Sequence, residues 1–190
     1  MTAASGVVHE ELHEKNWAQT GGTLHAIQLW VNLPRSHKMS APRYQTILDA
    51  DIPAIDINGG GTLRVIAGSF EGRRGPARTF TPIELYDLQL NSGTRAILNV
   101  PSGHNTSILV LEGRASVNGS QTAGEAELIV CQREGTQLII DTHENSRFLV
   151  MSGEPIGEPI ARYGPFVMNT KAELVQAVED YQAGRMGHLS

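Results

Sequence analysis

The chain has 190 residues, of which 40% are hydrophobic and 5% aromatic, and its formal net charge is −5. A chain of this length can bury a substantial core, whereas the acidic balance and the lack of a basic stripe argue against direct contact with nucleic acid. The single cysteine excludes a disulfide within the chain, and the sequence shows neither a secretory leader nor an apolar run of bilayer-spanning length. These features predict a cytoplasmic protein that does not bind a membrane.

The first predicted element is a strand within Ser5–Glu11, whose sequence is SGVVHEE. His9 and Glu11 are two residues apart, so on a strand both side chains project from the same face. An imidazole and a carboxylate on one face suit a first-row metal such as iron, manganese, nickel or zinc. Because an iron or zinc centre needs at least one more protein ligand, the pattern predicts only part of a metal site.

A second strand, buried on both faces, is predicted at Leu24–Val31, which is rich in apolar and β-branched residues. His25 lies on one of these two buried faces and is interpreted as a hydrogen-bonded core histidine rather than a ligand. Residues 32–60 contain several prolines and end in Asn58–Gly61, a flexible turn. This connector predicts a domain boundary near residue 58.

From Thr62 onward the sequence changes to short apolar runs separated by turn residues. Asn118-Gly119 is a strong hairpin signal because both residues tolerate positive φ. Several strands at this spacing predict an all-β fold, a sandwich or a small barrel. The predicted strands are Thr62–Ala67, Ile83–Leu90, Arg95–Val100, Thr106–Leu111, Ala115–Val117, Ala126–Cys131, Thr136–Asp141 and Arg147–Met151.

The last element is a C-terminal helix. Thr170 followed by Glu173 is the pattern of a capping box, an apolar stripe begins at Leu174, and Gly184 supplies the stop. The pattern therefore predicts a helix that docks through one apolar face.

Two isolated residues of the strand-rich part receive structural interpretations. His104 lacks the neighbouring histidine that a metal pair would supply, so it is interpreted as structural. Cys131 lies in an apolar run and is interpreted as a small buried hydrophobe.

The one basic cluster of the sequence lies among glycines and predicts a solvated turn. Its arginines fall in the stretch from Arg73 to Arg78.

Taken in order, several stretches resemble the pirin family, a branch of the cupin superfamily. They are Ser5–Glu11, Leu24–Pro34, Pro42–Gln45, Val65–Gly68 and Tyr163–Thr170. The resemblance runs over almost the whole chain. It implies two cupin barrels, with residues 1–58 forming part of the N-terminal cupin, 59–160 a complete C-terminal cupin, and 161–190 an irregular segment followed by the helix.

The resemblance also implies a metal site in the N-terminal barrel, usually an iron held by three histidines and a glutamate. His9 and Glu11 match the last two of these ligands, but the sequence has no His-Pro-His motif to supply the first two. The chain therefore resembles a pirin that lacks the front of its metal domain. The C-terminal barrel is expected to hold no metal.

Three functions remain open at this point. Some pirins resemble quercetin 2,3-dioxygenases, and in such an enzyme Glu11 would also act as general base toward a flavonol hydroxyl. Pirins are also associated with regulatory protein partners, for which the iron would serve as a redox switch. The third expectation is self-association through apolar surface left exposed by unpaired strands.

Overall fold

The structure is a computed structural model that describes residues 1–13, 15–120 and 122–189. The chain forms two compact units. One is continuous and comprises Gln45–Ile156, and the other combines Met1–Tyr44 with Gly157–Ser190. The domain boundaries predicted from the sequence, after residues 58 and 160, remain a prediction.

The described residues of the continuous unit form twelve strands and one short 3₁₀ turn at Asp49–Asp51. A six-stranded antiparallel sheet has the order β1-β2-β5-β12-β7-β10, and a second sheet has the order β6-β11-β8-β9, while β3 and β4 pair separately. The strands are β1 (Ala54–Asp56), β2 (Gly61–Ala67), β3 (Ser69–Phe70), β4 (Arg73–Arg74), β5 (Ile83–Leu90), β6 (Arg95–Asn99), β7 (Asn105–Glu112), β8 (Arg114–Val117), β9 (Thr122–Gly124), β10 (Leu128–Val130), β11 (Gln137–Thr142) and β12 (Ser146–Gly153).

The core of this unit lies between the two larger sheets. Alternate residues of each strand are buried, as in β7, where Thr106, Ile108 and Val110 point inward. Side chains from the second sheet, such as Leu98 and Ile140, complete the same cluster. This alternation is the period-two pattern of strands with one face on a core, and it confirms the predicted all-β fold.

The predicted hairpin at Asn118-Gly119 is confirmed. Asn118 has φ of 53° and Gly119 has φ of 63°, and β8 pairs with β9 on either side of them, with Ser116 opposite Thr122. Two successive positive φ values give the turn a twist that matches the twist of the strands.

The discontinuous unit contains the helices α1 (Lys15–Thr20), α2 (Arg35–Lys38) and α3 (Lys171–Gln182) and the hairpin β13 (Ala161–Tyr163) with β14 (Phe166–Met168). The predicted C-terminal helix is confirmed. The Thr170 hydroxyl accepts a hydrogen bond from Glu173 N, and the Glu173 carboxylate accepts from Thr170 N. Among the described residues, no helix is long and apolar enough to span a membrane.

The strands predicted near the N-terminus are wrong. Ser5–Glu11 and Leu24–Val31 form no strand, and all residues from Gly21 to Val31 are exposed, including His25. An apolar run becomes a strand only when a neighbour accepts and donates its ladder hydrogen bonds, and the described part of this unit offers these stretches no such neighbour. The residue types favour a strand, but β-propensity alone does not provide the neighbouring strand that a sheet requires.

Candidate functional site

The first candidate is the segment that carries His9 and Glu11, and it is fixed to its own unit up to Val8. Thr2 and Arg43 exchange two backbone hydrogen bonds, and Val8 N donates to Met186 O at 2.9 Å. Gly6 has φ of +113°, and a Cβ at this position would lie 2.5 Å from Met186 Sδ. A glycine is therefore required where the segment crosses the C-terminal tail.

Beyond this anchor, the side chains of both predicted ligands are exposed. Glu11 Oε1 accepts a hydrogen bond of 2.9 Å from Gln28 Nε2. Within the part of the chain that the structure describes, no group of three or more His, Cys, Asp or Glu side chains is placed to hold a metal. The two donors are of the right chemical type, but by themselves they do not fit a closed mononuclear centre.

A buried lysine organises the rest of this unit. Lys38 is 5% exposed, and its ammonium group donates to Asn32 Oδ1 at 2.7 Å and to Val167 O at 3.0 Å. Burial lowers the pKa of Lys38, although the charges of Glu158 and Glu173 act in the opposite direction. Through these two hydrogen bonds Lys38 links Asn32 to Val167 of β14, which lies far from it in the sequence.

The two carboxylates named above complete the link. Glu158 accepts from Arg35 N at 2.7 Å and from Asn169 Nδ2 at 3.0 Å, while Glu173 forms an ion pair of 2.8 Å with Arg35. These bonds join the start of α2 to the start of α3. Asn32, Val167 and Asn169 therefore help to hold this unit together.

The second candidate lies in the continuous unit, where four polar side chains meet on the inward face of the large sheet. Ser152 on β12 is paired with Glu84 on β5 and with Thr106 on β7. Ser152 Oγ lies 3.0 Å from Thr106 Oγ1 and 3.3 Å from His104 Nδ1. Glu84 Oε2 is 3.3 Å from the same ring nitrogen. We call these four residues the inner polar cluster.

The inner polar cluster borders a pocket of about 390 Å³ between the two sheets. His104 and Thr106 contribute polar atoms to its lining, and Cys131 also contacts it. Cys131 is partly buried against the core, as the sequence indicated, and burial raises the pKa of its thiol. The pocket volume falls in the range of sites that bind small molecules.

Sequence reasoning identified His104 as a lone residue and missed the other members of the cluster. Their contacts depend on which strands are neighbours, and the sequence separations of 46 to 48 residues give no local signal. One signal was available: Glu84 shares the parity of Tyr86 and Leu88, so a carboxylate falls on the apolar face of its strand.

Comparison with known proteins gives a consistent picture. Residues 85–187 match the family model described as the pirin C-terminal cupin domain. A protein of Pseudomonas aeruginosa that bears the provisional name quercetin 2,3-dioxygenase is 47% identical over 186 residues, and a similarly named protein of Thermoplasma acidophilum is 36% identical over 200 residues. Pirin-1 of Arabidopsis thaliana is 36% identical over 192 residues.

A solved structure agrees with these relatives. The crystal structure of quercetin 2,3-dioxygenase from Acinetobacter baumannii superimposes with a TM-score of 0.82 at 42% identity and covers 85% of this chain. This chain spans 56% of the length of that protein, 65% of the Pseudomonas protein, 76% of the Thermoplasma protein and 64% of the Arabidopsis protein. The alignments with the three sequence relatives include 97% or 98% of the residues of this chain.

Proposed function

Because the chain belongs to the pirin family of cupin proteins, we propose that it contributes to a metal-dependent dioxygenase activity of the quercetin 2,3-dioxygenase type. The proposed substrate is of the flavonol type. Iron is the proposed metal, with manganese, nickel and zinc as the alternatives that the same ligands would bind. The relatives named for this activity support the proposal. In this proposal His9 and Glu11 are metal ligands.

The observation that carries the proposal is the exposed pair of donors beyond the anchor at Val8. One oxygen of Glu11 is hydrogen bonded to Gln28, so the other oxygen is left to act as ligand or to accept a proton from a substrate hydroxyl. A carboxylate held in this way is suited to the role of general base. Two donors bind an ion weakly, however, and we expect the 190-residue chain alone to show no significant flavonol turnover.

The proposal is tested by loading the purified chain anaerobically with ferrous iron and measuring bound iron by elemental analysis. Wild type is compared with His9→Ala, Glu11→Gln and the control Glu10→Gln, which changes an exposed carboxylate of the same segment. Near-stoichiometric iron that is lost in His9→Ala and Glu11→Gln but kept in Glu10→Gln would show that further ligands complete the site. Weak binding that none of the three variants changes would refute the ligand assignment.

Turnover is followed separately, by the loss of flavonol absorbance under oxygen. No turnover by the chain alone is the expected result, because the described residues bring no third ligand to His9 and Glu11. Detectable turnover by the iron-loaded chain would refute this expectation, and its loss in Glu11→Gln would then support the role of Glu11.

A second candidate function is that of a non-enzymatic protein-interaction module, and the exposed stretch Leu24–Val31 favours it. Trp30 is 67% exposed, and Leu24 and Val31 are 58% and 59% exposed. Consecutive large apolar side chains in water mark an interaction surface. The occupant that we propose is a second copy of the chain.

Self-association is tested by light scattering over a concentration series, with Trp30→Ser as the variant. The control is Tyr44→Ser, which removes another exposed aromatic side chain outside this stretch. A concentration-dependent dimer that only Trp30→Ser weakens supports the proposal, and a monomer at every concentration refutes it.

A further inference from the structure

We propose that the pocket of the continuous unit binds a small uncharged molecule that carries one hydroxyl group on an apolar body of roughly phenol size, with His104 as the hydrogen-bond acceptor and Glu84 as a positioning residue. The site is independent of His9 and Glu11. It follows from the inner wall of the pocket, from the unused nitrogen of His104 and from a buried carboxylate oxygen of Glu84 that faces the imidazole alone.

The inner wall of the pocket is aliphatic, whereas its outer lining is polar. Val100, Val117 and Leu138 belong to the buried core and also line the pocket, and Ile129 adds a partly buried side chain from β10. Exposed residues such as Arg133 also line it, so the pocket opens to solvent at a polar rim. An apolar body can therefore enter and lose contact with water, which is the main source of affinity in such pockets.

His104 supplies the polar contact. Its side chain is 10% exposed, and its Nδ1 atom lies 3.3 Å from both Glu84 Oε2 and Ser152 Oγ. A carboxylate beside Nδ1 favours the proton on that nitrogen, which leaves Nε2 as an acceptor. Within the described residues Nε2 has no hydrogen-bond partner. A ligand hydroxyl would donate to this nitrogen.

Glu84 distinguishes the cluster from an ordinary core histidine. Its side chain is 16% exposed, and its Oε2 atom is buried with no partner other than the imidazole, which lies at an ion-pair distance of 3.3 Å. Buried carboxylate oxygens are almost always hydrogen bonded, because an unmade bond costs stability. The proton on Nδ1 is therefore the donor that this oxygen attracts, and Glu84 thereby orients the imidazole.

The chemical class follows from these contacts. A carboxylic acid would place its negative charge near Glu84. An ammonium group has three donors, of which Nε2 accepts one, so the other two would lose water without gaining a partner at the aliphatic inner wall. An alcohol or phenol brings one donor and no charge, which matches the one acceptor.

The test uses 4-ethylphenol as the probe and ethylbenzene as the matched compound that lacks the hydroxyl. Binding is measured by saturation-transfer NMR and by the rate at which a thiol reagent modifies Cys131, which lines the pocket and is the only cysteine of the chain. We expect 4-ethylphenol to slow the modification of Cys131 and to bind at least tenfold more tightly than ethylbenzene. Equal binding of the two compounds, or no protection up to the solubility limit of the probe, overturns the proposal.

Three variants assign the contacts. His104→Phe removes the acceptor and should abolish the difference between the two compounds. Glu84→Gln keeps the shape but no longer fixes the proton on Nδ1, and it should reduce the preference for 4-ethylphenol severalfold without changing the binding of ethylbenzene. The control His143→Phe alters an exposed histidine that does not line the pocket and should behave as wild type. If His104→Phe does not fold, Glu84→Gln decides, and an unchanged preference in that variant overturns the role of the pair.

Discussion

The most stringent test of the continuous unit is the removal of one buried charge, Asp87→Asn. Asp87 lies on β5, and its side chain is 7% exposed. Arg147 donates to its two carboxylate oxygens at 2.9 and 2.8 Å, and Arg64 donates at 3.0 Å. The carboxylate therefore joins β2, β5 and β12 on the outer face of the large sheet.

The expected loss of stability depends on the two arginines that Asp87→Asn leaves without their carboxylate partner. Removing one partner of a buried ion pair costs about 3–5 kcal/mol. Arg64 and Arg147 keep a quarter and a third of their side chains exposed, and Arg64 retains its ion pair with Asp49, so both cations can recover part of their hydration. We therefore expect a loss of about 2–3 kcal/mol in the free energy of unfolding, which lowers the melting temperature by about 10 °C for a unit of this size.

The pH dependence gives an independent check. Burial alone would raise the pKa of Asp87, but the hydrogen bonds and charges of Arg147 and Arg64 outweigh it and lower the pKa below its ordinary value. The group binds fewer protons in the folded state than in the unfolded state, so its contribution is fully present above the unfolded pKa and is lost as the pH falls through the folded pKa. The difference between wild type and Asp87→Asn should therefore shrink as the pH falls below about 4.

The assay is urea unfolding followed by circular dichroism in the far ultraviolet, at several pH values. The matched control is Asp141→Asn, which removes a carboxylate that also bonds an arginine in two places, Arg95, but on the surface. Water screens that pair, so the control should change stability little. Equal stability of wild type and Asp87→Asn at neutral pH, or a difference that stays constant down to pH 3, would refute the reasoning.

Three further predictions concern single side chains. Thr170→Ala removes the hydroxyl that caps α3 and should cost about 1 kcal/mol in urea unfolding, whereas Thr170→Ser should retain most of it. Because burial raises the pKa of Cys131, its reaction rate with a thiol reagent should rise at a higher pH in the folded chain than in urea, and identical pH profiles would contradict this. Burial, aided by the charge of Glu84, also raises the pKa of Tyr86. Spectrophotometric titration should therefore show one of the four tyrosines ionising only when the chain unfolds in alkali. Four tyrosines that titrate together would contradict this prediction.

The strands of the continuous unit could be predicted because their signal is local. The run Ile83–Leu90 was predicted with the bounds of β5. The bounds of β2, β6 and β8 differ from the predicted ones by one residue at one end, and β11 is displaced by one residue at both ends. Alternation and turn residues act over a few positions, so no knowledge of the partner strand is needed. Shorter pieces such as β3 and β13 were missed, because two or three residues carry no alternation.

The N-terminal segments could not be predicted in the same way. Ser5–Glu11 and Leu24–Val31 show the residue patterns of strands, yet such a pattern does not say whether a neighbouring strand exists. The cupin fold itself was expected only through the family resemblance, and the family match and the relatives confirm it. The assignment of His9 and Glu11 to a metal remains a prediction, since spacing along the chain places two donors together and says nothing about a third.

The inner polar cluster depends on a different level of information, the register of the sheet. Glu84, Ser152 and Thr106 meet because β12 lies between β5 and β7 with these residues opposite one another. A slip of one residue in β5 would move Glu84 to the outer face and Leu85 into the core. The apolar residues of the same strand exclude this slip, because Tyr86 and Leu88 are both buried on the inward face. The core that fixes the register thus also holds the carboxylate beside His104, so the position of a polar site follows from hydrophobic packing around it.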